Sequence, residues 1–285
     1  MITIQNVAFS FKRKAVFKDL TLSFKAGHIY GLLGKNGAGK STLLKMIAGA
    51  LFPDNGQLIA LNFSPKKRQA SYLQKLFIIA DEFYLPPISI KTIVKCNAPF
   101  YPHFNEEQFY FYLKEFEVPN NISMHQLSYG QNKKVHISFA LACNTPILLM
   151  DEPTNGLDIM GQKQFKKIIA GIATDEKCII ISTHQVKDLE NLIDHITIIN
   201  DGTVLFNESI EQISSKLEFK IVTDIENSEQ VLFKEACLKG YAVVGINQTG
   251  TEGKTDLELL YKTLITNSKG LNEAFLHKNQ IPLVK

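Results

Sequence analysis

One stretch of eight residues, GKNGAGKS at positions 34–41, limits what this 285-residue chain can fold into more than any other. It stands between two different patterns. Before it, HIYGLL (His28–Leu33) is a nearly unbroken apolar run, as expected of a strand buried on both faces. After it, residues 41–50 have helical periodicity. A buried strand, a glycine-rich turn and a helix form the opening of a parallel α/β sheet. The stretch fits G-x-x-x-x-G-K-[ST], in the strand-to-helix context that this motif requires. Gly34, Gly37 and Gly39 let the backbone curl, so that consecutive amides from Lys35, Asn36 and Ala38 to Thr42 point inward. The helix N-terminus adds positive potential. Lys40 is placed to reach β- and γ-phosphates and Ser41 to ligate Mg²⁺.

Two more apolar runs, at 146–150 and 177–182, read as buried strands, and each ends in chemistry. ILLMDEP places Asp151 and Glu152 at the end of the first, where a doubly wound sheet binds ligands. Asp151 would hold Mg²⁺, directly or through water, and Glu152 would orient or deprotonate a water. ISTHQ ends the second, and His184 there could donate to the γ-phosphate. A second anion-binding loop is less expected: LSYGQNKK, 127–134, sets Ser128 and Gly130 at the mouth of a helix with two lysines behind.

The remaining pattern is mixed. Residues 2–9 and 19–25 alternate as antiparallel strands. Residues 83–145 read as a helical insertion, with Asn105 as an N-cap, Glu106 and Glu107 in a first turn, and an apolar stripe of Phe109, Tyr112, Leu113 and Phe116. That spacing fits core packing better than a partner groove. ITIINDGTVLF carries Asp-Gly between apolar runs, a hairpin signal. Farther on, KLEFKIVTDI and residues 240–246 read as strands, 249–254 as a glycine-containing turn and 256–265 as a helix. The expected class is therefore α/β: a mixed-sheet core with an antiparallel β subdomain, a helical insertion and a small C-terminal α+β appendage.

Taken together and in order, these motifs resemble the ATP-binding subunit of ABC transporters over residues 1 to about 210. GKNGAGKS is similar to the Walker A motif of that P-loop NTPase family, ILLMDE to Walker B, and LSYGQ to the signature LSGGQ. NGLD, 155–158, resembles the D-loop, His184 the switch histidine, and Phe11 lies where the family stacks an aromatic on adenine. NAPFYPHFNEEQF, 97–109, more closely resembles the helical part of ABC-2-type exporter ATPases. The resemblance implies an ATPase domain at 1–211, its helical subdomain at about 83–145, and an accessory region at 212–285. It also implies two subunits facing head to tail. Ser128, Gly130 and Gln131 of one chain would then cap the phosphate held by the other, and Asp158 would communicate across the interface. The homodimer would drive a separate transmembrane permease gripped by the helical subdomain, with FYLPPISIK the expected contact.

The sequence departs from the family twice. Asp81, followed by Glu82, stands where the family has the glutamine of its Q-loop. A carboxylate can ligate Mg²⁺ but adds negative charge beside a triphosphate and cannot donate a hydrogen bond. Tyr129 replaces a signature glycine, and its side chain is expected to point away from the nucleotide. A non-transport ABC ATPase acting on ribosomes or DNA is the rival reading, but one cassette without a coiled coil or zinc spacing argues against it. A net charge of +3 gives no basis for nucleic-acid binding, and the run Pro65-Lys66-Lys67-Arg68 reads as a solvated loop. No apolar run approaches the roughly 18 residues of a membrane span. The N-terminus has no signal-peptide order, and Cys96, Cys143, Cys178 and Cys237 form no C-x-x-C pair. The expected location is cytoplasmic, peripheral on the inner face of the cell membrane. Residues 216–285 fit a structural appendage or a regulatory module.

Overall fold

The alternation of the first strands decides where the first sheet buries its face. In a computed structural model that describes residues 1–12, 14–82, 87–223, 231–248 and 253–276, β1 (Ile2–Phe11) pairs antiparallel with β2 (Lys14–Phe24). Ile2, Ile4, Val7 and Phe9 point into the core. After β3 (His28–Leu33) and α1 (Lys40–Ile47) comes β4 (Asn55–Ala60), which pairs with the other side of β1 to give the order β2-β1-β4. Nothing in NGQLIA announces this strand, since Asn-Gly is a turn dipeptide; pairing to β1 fixes it.

A short helix, α2 (Ala70–Leu73), leads into β5 (Leu76–Ile79). The helical insertion follows as α3 (Ile90–Asn97), α4 (Glu106–Glu115) and α5 (Tyr129–Ala142). Phe109, Tyr112, Leu113 and Phe116 are all buried, so the stripe is core. Asn105 caps α4 by accepting from the Gln108 amide at 3.0 Å. Asn105→Ala should remove about 1 kcal/mol, lowering the melting temperature by roughly 2–4 °C for a domain of this size, as a thermal scan would show.

β6 (Ile147–Asp151), α6 (Ile159–Ile172) and β7 (Cys178–Thr183) complete a parallel array in the order β5-β6-β7-β3. Every residue of β6 and β7 is buried, which explains their unbroken apolar sequence. β8 (His195–Asn200) and β9 (Thr203–Ser209) are neighbours joined by Asp201-Gly202, whose φ values of +47° and +77° suit a tight hairpin.

The chain divides into two compact units, residues 1–193 with 199–204, and residues 194–198 with 205–285. The second contains α7 (Ile210–Lys216) and an antiparallel sheet of β10 (Leu217–Val222), β11 (Val231–Cys237) and β12 (Gly240–Ile246), in the order β10-β12-β11. α8 (Leu257–Leu276) packs on β11 and β12. Sequence periodicity stops near residue 265, but the helix resumes past a break at Asn267. There the side-chain oxygen accepts from the Gly270 amide at 3.1 Å and caps a second segment. Most of the expected turn at 249–254 lies outside the described residues. No helix among the described residues is long and apolar enough to cross a membrane.

Candidate active site

Four parallel strands end nearly level. Leu33 lies opposite Thr183, Asp151 opposite Ser182, and Ile79 opposite Met150. That register delivers the 34–41 loop, Glu152, His184 and Asp81 to one edge of the sheet, where a cleft of about 470 Å³ opens. Ligands of open α/β sheets bind at that edge.

The phosphate loop is shaped by its glycines and backed by the core. Gly39 has φ +106°, and a Cβ there would come within 2.6 Å of the Phe17 ring, so only glycine fits. Lys40 is buried, and its Nζ donates to the Gly34 carbonyl at 2.8 Å. Burial lowers its pKa, with Glu152 and Asp151 opposing that shift. A desolvated ammonium aimed across the loop is a strong partner for phosphate oxygens.

Glu152 is held from several sides. Its φ of +47° lies in the left-handed region, which costs a non-glycine residue about 1 kcal/mol. Its amide donates to the Ser182 carbonyl at 2.9 Å, and its carbonyl accepts from Lys133 Nζ at 2.6 Å. Its Oε1 accepts from His184 Nδ1 at 2.9 Å. Its Oε2 is buried without a hydrogen-bond partner. An unmet acceptor costs about 1–3 kcal/mol, and here it belongs to a side chain that lines the cleft. An acceptor left without a partner can take a proton from a water that reaches it.

Ser41 and Asp81 line the same cleft. Asp151 is buried at the adjoining strand end and accepts from the Ser182 hydroxyl. These are hard oxygen donors of the kind Mg²⁺ takes, so the donor set fits that ion. Asp81 is already engaged: its Oδ1 lies 3.3 Å from Asn155 Nδ2 and 3.5 Å from Lys133 Nζ. Phe11 is half exposed at the cleft, beside Lys14 and Val16, and meets Phe9 edge-on at 4.8 Å. Asn36, Gly37 and Thr42 also line the cleft, whereas Gly34, Lys35 and Ala38 shape the loop without lining it.

Ser128, Gly130, Gln131 and Asp158 are not brought to this cleft. Ser128 caps α5 in a reciprocal pair with Gln131, at 3.2 Å and 3.0 Å. Gly130 packs so tightly on Gly156 that a Cβ would fall 2.5 Å from its carbonyl oxygen. Asp158 caps α6 by accepting from the Gly161 amide at 2.8 Å. Tyr129 turns back on its own chain, and its hydroxyl donates to the Asp81 carbonyl at 2.7 Å. Two residues are placed differently from the sequence reading: Asn155, read only as the start of NGLD, lines the cleft, and Lys133, read as one of two lysines behind an anion-binding loop, has a fully buried side chain. The signal for Lys133 was a lysine inside a helix whose neighbours are largely core residues.

Residues 17–155 match the family described as ABC transporter. The chain carries a domain of that family. The ABC transporter ATP-binding protein YtrB of Bacillus subtilis (strain 168) is 24% identical over 79% of this chain and 78% of its own length. The lantibiotic transport ATP-binding protein SrtF of Streptococcus pyogenes is 27% identical over 74% of this chain and 92% of its own. The ATP-binding cassette MJ0796, solved as a dimer in a post-hydrolysis state bound to ADP and Pi, is 26% identical. It superposes with a TM-score of 0.62 over 73% of this chain and 98% of that one. As an ABC ATPase, the chain binds ATP and hydrolyses it to ADP and phosphate.

Proposed function

We propose that this ABC ATPase pairs head to tail with a second copy around ATP and drives a separate transmembrane permease from the inner face of the cell membrane, in the direction of export. The observation that carries the pairing is the placement of Ser128, Gly130 and Gln131 outside the chain's own cleft. The N-terminus of α5 could meet an anion, and its residues do not line the chain's own cleft. A partner's γ-phosphate would complete it, making ATP the link between subunits and hydrolysis the release.

In this reading Lys40 binds the β- and γ-phosphates, and Phe11 stacks on adenine. Ser41 and Asp151 would hold Mg²⁺, and Asp81 would complete its shell. When bound, that ion offsets charge on the phosphate oxygens. Glu152 takes the proton of the attacking water. His184 fixes Glu152 through Nδ1 and can present Nε2 to the γ-phosphate, and Asp158 links the two sites. Residues 1–211 act as the cassette and 212–285 as an accessory region. Export is supported by the likeness of residues 97–109 to ABC-2-type exporter ATPases, and a transport role by the relative named for lantibiotic transport. The permease would meet the helical subdomain near FYLPPISIK, of which residues 83–86 lie outside the described residues.

The test uses Glu152→Gln, which should hold ATP while turnover is slowed about 10³-fold. With ATP and Mg²⁺, light scattering on a sizing column should show a dimer that is absent without nucleotide. Adding Ser128→Arg should restore the monomer while ATP still binds. A chain that remains monomeric in the first condition argues against self-pairing.

A further inference from the structure

Lys133 is a charged side chain with no exposed surface, one turn inside the signature helix. A buried ammonium needs compensation, and its surroundings supply it. Its Nζ donates to the Glu152 carbonyl at 2.6 Å, lies 3.5 Å from Asp81 Oδ1, and sits 5.9 Å from the centroid of the Tyr129 ring. Tyr129 and Lys133 thus reach the same residue from the same helix, one at the Asp81 carbonyl and the other at its carboxylate.

We propose that Lys133 is a positioning residue of the ATPase site, paired with Asp81 so that a carboxylate can stand beside a triphosphate and the backbone of Glu152 stays in place. The inference rests on ATP hydrolysis alone, not on dimerisation or transport. Three observations converge on it. Asp81 lines the cleft with nearly half its side chain exposed, so uncompensated it would repel phosphate. Lys133 supplies the opposing charge from the buried side. Glu152 sits in a left-handed conformation that persists only if its neighbours hold it, and Lys133 grips its carbonyl. The two departures from the signature and Q-loop patterns, Tyr129 and Asp81, are then parts of one arrangement with Lys133.

This arrangement predicts a split between binding and turnover. Lys133→Met keeps the apolar volume but removes charge and donor. It should raise KM for ATP about tenfold and lower kcat about tenfold, the scale on which groups in one network couple. Adding Asp81→Asn should lower KM again relative to Lys133→Met alone, because the repulsion is gone while the amide oxygen can still face Mg²⁺. The kcat should stay low, because the Glu152 carbonyl is still unheld. Steady-state phosphate release at saturating Mg²⁺, with a thermal melt of each protein, reads both. A Lys133→Met chain that melts early and is rescued by Asp81→Asn also supports the pair. No change in either constant for Lys133→Met, or no rescue of KM or folding by the second change, overturns it.

Discussion

Lys40→Ala should abolish useful turnover, lowering kcat/KM for ATP by about 10²–10³. In the proposed site Lys40 would meet phosphate from a buried position, with its ammonium 2.8 Å from the Gly34 carbonyl. Burial has already stripped much of its water, which is why its pKa is lowered despite two nearby carboxylates. The desolvation cost is therefore met in the folded protein, and the ammonium gains more from a phosphate than a solvated lysine would. No neighbour can substitute. Among the residues lining the cleft, Lys14 is the other cation, and it is exposed on β2. Lys133 is committed to Asp81 and Glu152. Calorimetry should show the loss as weakened ATP binding, and the melting temperature without nucleotide should change little. Retention of more than a tenth of the wild-type kcat/KM would remove Lys40 from the centre of the site.

Legibility in the sequence followed the distance over which each feature is determined. The phosphate loop is local: consecutive residues set its turn, so GKNGAGKS could be read directly. Asp151 and His184 were legible because buried parallel strands leave unbroken apolar runs, and whatever follows such a run reaches the binding edge. β4 was not legible, since NGQLIA offers a turn signal and is held by its pairing to β1. β11 was missed for a related reason: VLFKEAC is largely exposed and joins its sheet through β12 alone. The network around Lys133 is the extreme case. Tyr129 and Lys133 lie 48 and 52 residues from Asp81 in the sequence. Only the placement of α5 beside the ends of β5 and β6 joins them. A reading residue by residue takes Asp81 and Tyr129 as two separate defects, whereas the fold makes them neighbours.

Glu152→Gln should lower kcat by about 10³, within the range for loss of a general base, while ATP binds at least as tightly. Glutamine keeps the volume of the side chain, and its amide oxygen can still accept from His184 Nδ1, which now stands 2.9 Å from Oε1. The change falls on the other atom. Oε2 is a buried acceptor with no partner, and in glutamine an N–H group takes that position or exchanges with it. An amide cannot accept a proton from water, so chemistry stops. Removing a negative charge from the cleft cannot repel a triphosphate, so binding should hold or improve. Stability should change little, because a buried donor without a partner replaces a buried acceptor without one. His184→Ala separates the two jobs: it leaves the base but removes the bond that aims it, and should cost about tenfold to a hundredfold in kcat. Single-turnover phosphate release measures both. If Glu152→Gln keeps more than a tenth of wild-type kcat, the base is another group, and Asp81, the other carboxylate lining the cleft, becomes the next to replace.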